Sequence, residues 1–180
     1  LLARPTALRW LQRLAARTPY FDIHGTDGST YMRRWWLLPK WRLRFDPKCG
    51  ALMPKPWMPF SIRLHHIMRP DADRHLHDHP FNFRSILLQG WYVERRPDGG
   101  RTITAGETYR APATRWHRIS QLSEGGVWSL FIMGRRVNDW GFLVDGEKVP
   151  WQRYLSELQA LLTPTRDDVE KAYRRLASLR

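Results

Sequence analysis

The stretch Arg74-His75-Leu76-His77-Asp78-His79-Pro80 decides how this chain is read. Side chains alternate between faces along an extended backbone, so His77 and His79 share one face at a backbone separation of about 7 Å. Two imidazoles so placed can aim their nitrogens at one point. A metal site needs further ligands on a rigid scaffold, and a later antiparallel strand carrying His117, in Arg115-Trp116-His117-Arg118, would supply the third. His75 stands at the same two-residue spacing from His77, so a slip in register would exchange it for one of the chosen ligands.

Around this stretch the sequence has the cadence of an all-β protein. Short runs that suit strands, Ser61 to Met68, Phe83 to Leu88, Trp91 to Arg96, Arg101 to Thr104, Thr108 to Arg110, Thr114 to Ser120 and Val127 to Met133, alternate with turn signals such as Pro97-Asp98-Gly99-Gly100 and Ser123-Glu124-Gly125-Gly126. That even spacing predicts a sandwich or closed barrel. Two further hairpins are expected, one around Gly25 to Ser29 and one around Asp145-Gly146. The proline-rich run from Pro39 to Pro59 reads as an irregular loop with one strand near Trp41 to Phe45. Apolar residues at three-four spacing predict helices at both ends. The first, capped by Thr6, presents Ala7, Leu8, Leu11, Leu14 and Ala15; the last two present Trp151 to Leu162 and Val169 to Leu179. The whole, residues 1–180, reads as one domain with a core of about 20–149 and helical extensions of about 6–17 and 151–180.

Composition narrows the classes. The chain has 180 residues, 42% of them apolar and ten of them tryptophan, which argues against disorder. No run approaches the roughly 18 apolar residues of a membrane span, and Leu1-Leu2-Ala3-Arg4 lacks a signal-peptide core, so a cytoplasmic protein with no membrane partner is expected. Cys49 is alone, which leaves no internal disulfide and no thiolate cluster. The net charge is +13, and only five of the 30 basic residues are lysine. Arginine's planar fork suits carboxylates and phosphates, so a small anionic molecule is the expected partner, with nucleic acid on the basic surface and a homodimer as further candidates. Scattered pairs such as Arg33-Arg34 and Arg95-Arg96 do not form a basic arm. Signatures of a nucleophile elbow, a phosphate loop, a zinc finger and a dinucleotide fold are missing.

The histidine pattern resembles the cupin superfamily. Its first motif, H-x-H, three or four residues, E, six residues, G, maps onto His77, His79, position 83 and Gly90; its second, a glycine, a proline and a histidine, is similar to Gly106, Pro112 and His117. A longer string, including Tyr31 to Trp36, His77 to Phe81, Ser85 to Glu94 and Trp140-Gly141-Phe142, resembles cupin-like proteins of phages and prophages. The resemblance implies a cupin-type double-stranded β-helix, or jelly roll, whose interior holds a divalent metal on His77, His79 and His117. Phe83 stands where many cupins place a glutamate ligand, so the chain is similar to the three-histidine dioxygenases of the superfamily. Fe(II) with open positions for substrate and O2 is favoured, and Zn(II) with a bound water is the alternative. Asp78, Asn82 and Glu94 are candidate extra ligands, or acceptors that orient an imidazole. By alternation Asp78 points away from the two histidines. Tyr92 and Tyr109 are candidate catalytic acids, bases or phenol donors; Arg115, on the parity of His117, and Phe83 are candidate substrate contacts. His65 and His66 read as strand residues.

Three functions follow from different classes: a metal-dependent oxidoreductase of the dioxygenase type on a small anionic substrate; a zinc or metal-free cupin that binds or isomerises a sugar or nucleotide; and a basic module associated with nucleic acid.

Overall fold

The computed structural model describes residues 5–18, 20–24, 28–47 and 51–162. Helix α1 (Pro5–Ala15) leads into β1 (Tyr20–His24) and β2 (Thr30–Trp36). A single 3-10 turn precedes the hairpin β3 (Leu43–Asp46) and β4 (Ala51–Pro54), and β5 (Ser61–Ile67) and the short β6 (Leu76–His77) follow. The central run is β7 (Phe81–Gln89), β8 (Trp91–Arg96), β9 (Gly99–Thr104), β10 (Thr108–Ala111), β11 (Arg118–Leu122) and β12 (Val127–Arg136). The last hairpin, β13 (Gly141–Val144) and β14 (Glu147–Pro150), runs into α2 (Trp151–Leu162).

The strands form two facing layers. One is a six-stranded antiparallel sheet in the order β1-β2-β5-β12-β7-β10. The other consists of β11-β8-β9 and β14-β13-β6, joined by main-chain hydrogen bonds between the segment around Asp71 to His79 and the chain leading into β11. Asp71 N–H donates to the Ile119 carbonyl at 3.0 Å, His77 and His117 exchange bonds of 2.9 and 3.0 Å, and His79 N–H donates to the Ala113 carbonyl at 2.9 Å. The second layer is therefore continuous, and the order of strands across it is that of a jelly roll.

Alternation explains why the two layers seal. Along β7 the side chains of Phe83, Ser85 and Leu87 are buried while Asn82 is exposed, the period-two pattern of a strand facing a core. Ile67, Leu87 and Val127 of the first sheet meet Tyr92, Ile103 and Ile119 of the second in one apolar cluster. Each aliphatic side chain so buried contributes about 1.5–3 kcal/mol. A second cluster, Trp36, Leu38, Leu43, Met58 and Met133, lies on the first sheet and under β3, with Phe81 and Phe131 packed against it. Leu64 is fully enclosed although it faces away from His65, because α1 lies on β5.

The structure carries the all-β core and the helix at each end. It differs from the expected pattern in four places. The Pro39 to Pro59 region holds a hairpin rather than one strand. The turn between β8 and β9 uses only Pro97 and Asp98, so Gly99 and Gly100 already belong to β9. The strand expected from Thr114 starts at Arg118, because Arg115 N–H closes a turn onto the Pro112 carbonyl. The first helix starts at Pro5, before Thr6, and buries Leu8 and Ala15 while Leu14 stays exposed. Cys49 and the stripe Val169 to Leu179 lie outside the described residues. Among the described residues no helix is long and apolar enough to cross a membrane.

Gly90 is the single residue by which the chain leaves the first sheet on β7 and enters the second on β8. Its φ is 83°, and a Cβ there would lie 2.5 Å from Ser123 Oγ and 2.7 Å from the Gly126 carbonyl. Both the left-handed backbone and the close approach require glycine. Gly90→Ala is expected to destabilise the fold by about 1–3 kcal/mol, seen as a lower midpoint in urea with an unchanged slope.

Candidate metal centre

Each histidine is placed by backbone. His77 and His117 form an isolated antiparallel bridge, and residues paired in this way project their side chains from the same face. His79, two residues along, follows on that face. The result is a cluster in which one nitrogen from each of His77, His79 and His117 lies within 4.8 Å of the others. The ring centroids are 5.4 Å apart for His77 and His79, 5.0 Å for His77 and His117, and 4.9 Å for His79 and His117. The Nε2 atoms of His79 and His117 face each other at 2.7 Å.

These residues fit a transition metal. Two imidazole nitrogens at about 2.0–2.1 Å from one ion are about 2.9 Å apart at a right angle and about 3.3 Å apart at the tetrahedral angle. The Nε2 pair already stands near the first value. The largest nitrogen separation that a shared ion allows is about 4.1 Å, so the remaining distances close by small ring rotations.

Electrostatics favour the ligating form. Burial lowers the pKa of His77 to about 4, with the neighbouring His117 adding to the effect and Asp71 opposing it. Burial first, and then His117 and His77, hold His79 well below the usual imidazole range. Both rings are therefore neutral at pH 7, with lone pairs available for a cation.

Glu94 organises the third ligand. Its carboxylate is fully enclosed and lies 2.6 Å from Nδ1 of His117. Tyr109 donates to the same oxygen at 2.9 Å, and Arg96 Nε donates to the other at 2.6 Å. Burial acts to raise the Glu94 pKa, but hydrogen bonds from His117, Tyr109 and Arg96 bring it down to about 2. An ionised Glu94 keeps the His117 proton on Nδ1 and leaves Nε2 as the ligand atom. Tyr109 and Tyr92, whose hydroxyls bond each other, are raised above the usual phenol range, chiefly by burial. Both stay protonated at neutral pH, on the Nδ1 side of His117, and Tyr92 belongs to the apolar cluster.

The remaining candidates fall in different places. Phe83 sits edge-on to His79 at 4.8 Å and stacks on Phe131 at 4.7 Å, so an aromatic wall stands beside the histidine cluster. Asp78 does point away from the cluster, but it is buried, not on the surface. It accepts from Gly141 N–H at 2.7 Å, Asn138 at 2.8 Å and Lys148 at 2.6 Å. Asn82 accepts from Ala113 N–H at 2.8 Å, which fastens the turn before His117. His75 leaves the cluster and bonds the Tyr154 hydroxyl at 3.0 Å. Arg115 ends the Pro112 turn, through which strand parity does not run; its Nε is buried without a hydrogen-bond partner.

Sequence reading missed the wall opposite the histidines. Arg63 and His65 are buried on β5, and Ser85 and Ser129 are buried on β7 and β12. His65 stacks on Phe131 at 4.8 Å, and the same Phe131 ring is 6.2 Å from His79. The signal was the parity Ser61, Arg63, His65, Ile67, which matches the apolar parity of neighbouring strands.

No protein-family model matches the chain. No curated protein sequence matches it either. Solved structures similar to it include KdgF from Halomonas sp., 13% identical with a TM-score of 0.45, covering 67% of this chain and 92% of that one. A cupin 2 conserved barrel domain protein from Rhodopseudomonas palustris is 10% identical with a TM-score of 0.49, covering 72% and 79%. The cupin-2 domain Rru_A2000 from Rhodospirillum rubrum is 11% identical with a TM-score of 0.47, covering 79% and 82%.

Two outcomes are expected. Glu94→Gln keeps the shape of the side chain but loses the charge on His117, and should weaken Co(II) binding by about 10–100-fold in a competition titration; unchanged affinity would remove Glu94 from the site. In chelator-treated protein, His77, His79 and His65 have folded pKa values below their usual 6.5. Stability from the neutral rings is then complete above that pH and lost as pH falls from 6.5 toward the folded values, so the thermal midpoint should drop across that interval.

Proposed function

We propose that this chain is a metal-dependent barrel of the cupin type that holds a divalent transition metal on His77, His79 and His117. The observation that carries this reading is the convergence of three imidazoles within 4.8 Å, two of them with depressed pKa values and the third oriented by a buried carboxylate. Fe(II) is the favoured ion and Zn(II) the alternative.

The favoured reaction is oxidation of a small anionic substrate by O2, of the dioxygenase kind. Fe(II) supplies the one-electron chemistry that O2 requires, and a reaction that places both oxygen atoms in the substrate needs no outside reductant. The protein's part follows from its residues. Three neutral ligands leave the charge of a divalent ion uncompensated, which favours an anionic substrate in the open positions. Glu94 fixes the ring of His117, and the aromatic wall of Phe81, Phe83 and Phe131 lowers the local dielectric and limits water. Phe83 contributes shape at the substrate side of His79.

Protein purified without chelators should contain about one iron per chain, lost in His79→Ala, and should take up oxygen when its substrate is supplied. Firmly held zinc would overturn the redox reaction and leave a hydrolytic or isomerising barrel. A chain that binds neither ion would overturn the metal site itself.

A further inference from the structure

We infer that α1 and the segment from Leu37 to Phe60 form a docking face for an anionic phospholipid surface, in which exposed tryptophans enter the headgroup layer and arginines and lysines meet lipid phosphates. The inference is independent of the metal reading.

Exposed apolar groups gather in these two segments. They hold seven of the twelve large apolar side chains that stand exposed among the described residues. On α1, Trp10 is 63% exposed and Leu14 39%, one turn apart on the same stripe, while Leu8 and Ala15 face the protein. A surface cavity of about 250 Å³, lined by Leu14, Arg17, Leu38, Pro39 and Lys40 among others, joins that stripe to the next segment. There Trp41, 60% exposed, stacks on Trp57, 53% exposed, at 6.4 Å. Further along, Phe45 of β3 is 62% exposed and is paired with the exposed Leu52 of β4, so the two share a face. Leu43, two residues before Phe45 on that same face, is buried. One apolar face therefore begins in the core at Leu43 and continues into solvent.

The exposed rings sit on an anchored support. Leu43 and Met58 belong to the cluster under β3, Lys55 N–H donates to the Arg42 carbonyl at 2.9 Å, and Met58 N–H closes the turn around Trp57 onto the Lys55 carbonyl at 3.0 Å. Apolar groups held outward in this way mark an interaction surface.

Charge selects the partner. Residues 5–18 and 37–60 contain eight basic residues against one acidic residue, Asp46, which lies 4.0 Å from Arg44. Arg9, Arg13 and Arg17 repeat every four residues along α1, all exposed, and Lys40 and Arg44 are exposed beside the tryptophans. A helix with cations on one stripe and tryptophan and leucine on the next is the pattern that lies in an anionic membrane interface, where indole rings favour the headgroup level. Stacking of bases on the rings is less well served, because Trp41 and Trp57 turn a face to each other and the Arg42 guanidinium lies 4.5 Å from the Trp41 centroid, while Leu14 and Leu52 suit acyl chains. Such docking needs no spanning segment. It revises the expectation of no membrane partner, which follows from the missing spanning run alone.

The test is co-sedimentation of the full chain with vesicles of phosphatidylcholine alone and of phosphatidylcholine with about 30% phosphatidylglycerol, together with quenching of tryptophan emission by acyl chains that carry bromine. Binding to the anionic vesicles is expected to be at least about tenfold tighter than to the neutral ones, to weaken as salt rises, and to bring quenching. Trp10→Ser combined with Trp41→Ser should weaken it by about tenfold and reduce the quenching. Arg13→Glu combined with Lys40→Glu should remove the preference for anionic lipid. Trp91→Ser, which deletes an exposed ring at the start of β8, should change neither. If a double variant does not fold, the salt dependence and the quenching of the unaltered chain decide. No binding to anionic vesicles, equal binding to both kinds, or binding without quenching overturns the proposal. Binding of a single-stranded oligonucleotide, or a concentration-dependent dimer in sedimentation velocity, each without vesicle binding, also overturns it and assigns the face to nucleic acid or to a second copy.

Discussion

The two main-chain hydrogen bonds exchanged by His77 and His117 are the constraint on which the rest depends. They join β14-β13-β6 to β11-β8-β9 and so make the second layer one surface. They also force both imidazoles out of the same face, so the ligands converge through backbone geometry. The neighbouring contacts brace that bridge from both sides. Asp78, between the two ligand histidines, grips Gly141, Asn138 and Lys148, and Asn138 in turn donates to the His79 carbonyl at 2.9 Å. Asn82 holds Ala113 in the turn before His117. A site held to within a few tenths of an ångström requires such support from residues that never touch the ligand.

The electrostatics are a contest in which two opposite outcomes serve one end. At His77 and His79 burial wins, and the rings become neutral. At Glu94 burial loses, because three donors converge on a carboxylate with no access to water. An isolated buried carboxylate would cost several kcal/mol, so the ion is tolerable only with every contact in place. Removing one donor leaves the others around an under-satisfied charge. Tyr109 and Arg96 are therefore tied to the three-histidine cluster through Glu94, although neither belongs to it.

Much of this was legible in the sequence, and the failures have physical causes. His77, His79 and His117 could be found because a period of two is a local property of strands, and the β8 and β12 segments could be found because turn residues bound them. Glu94 was only a candidate, since its role depends on β8 lying beside β11, where it pairs with Ile119, two residues after His117. Arg115 was aimed by a parity that the Pro112 turn interrupts. Arg63 and His65 were passed over for a deeper reason. Alternation separates two faces, and the reader then assigns the polar one to water. On β5 that assignment fails: Leu64 is buried beneath a helix, and Arg63 and His65 are buried inside the barrel. A polar interior inverts the usual sign of the pattern, and only the partner strands reveal it.

That inversion is affordable because the barrel divides its interior. At one end the Leu87, Tyr92, Ile103 and Val127 cluster is apolar on both walls and supplies the hydrophobic stabilisation. Toward the other end the walls carry histidines, arginines and a buried carboxylate, groups that oppose burial and must be held by hydrogen bonds and by packing against Phe83 and Phe131. Strand β7 spans both regimes, with Leu87 in the apolar plug, Ser85 between, and Phe83 against His79. Because these three share one face of a single strand, a shift of β7 would move both the apolar plug and the aromatic wall relative to the histidines. Stability and site geometry are coupled through that strand, and it ends at a corner, Gly90, whose left-handed backbone and close approach to Ser123 and Gly126 leave room for glycine alone.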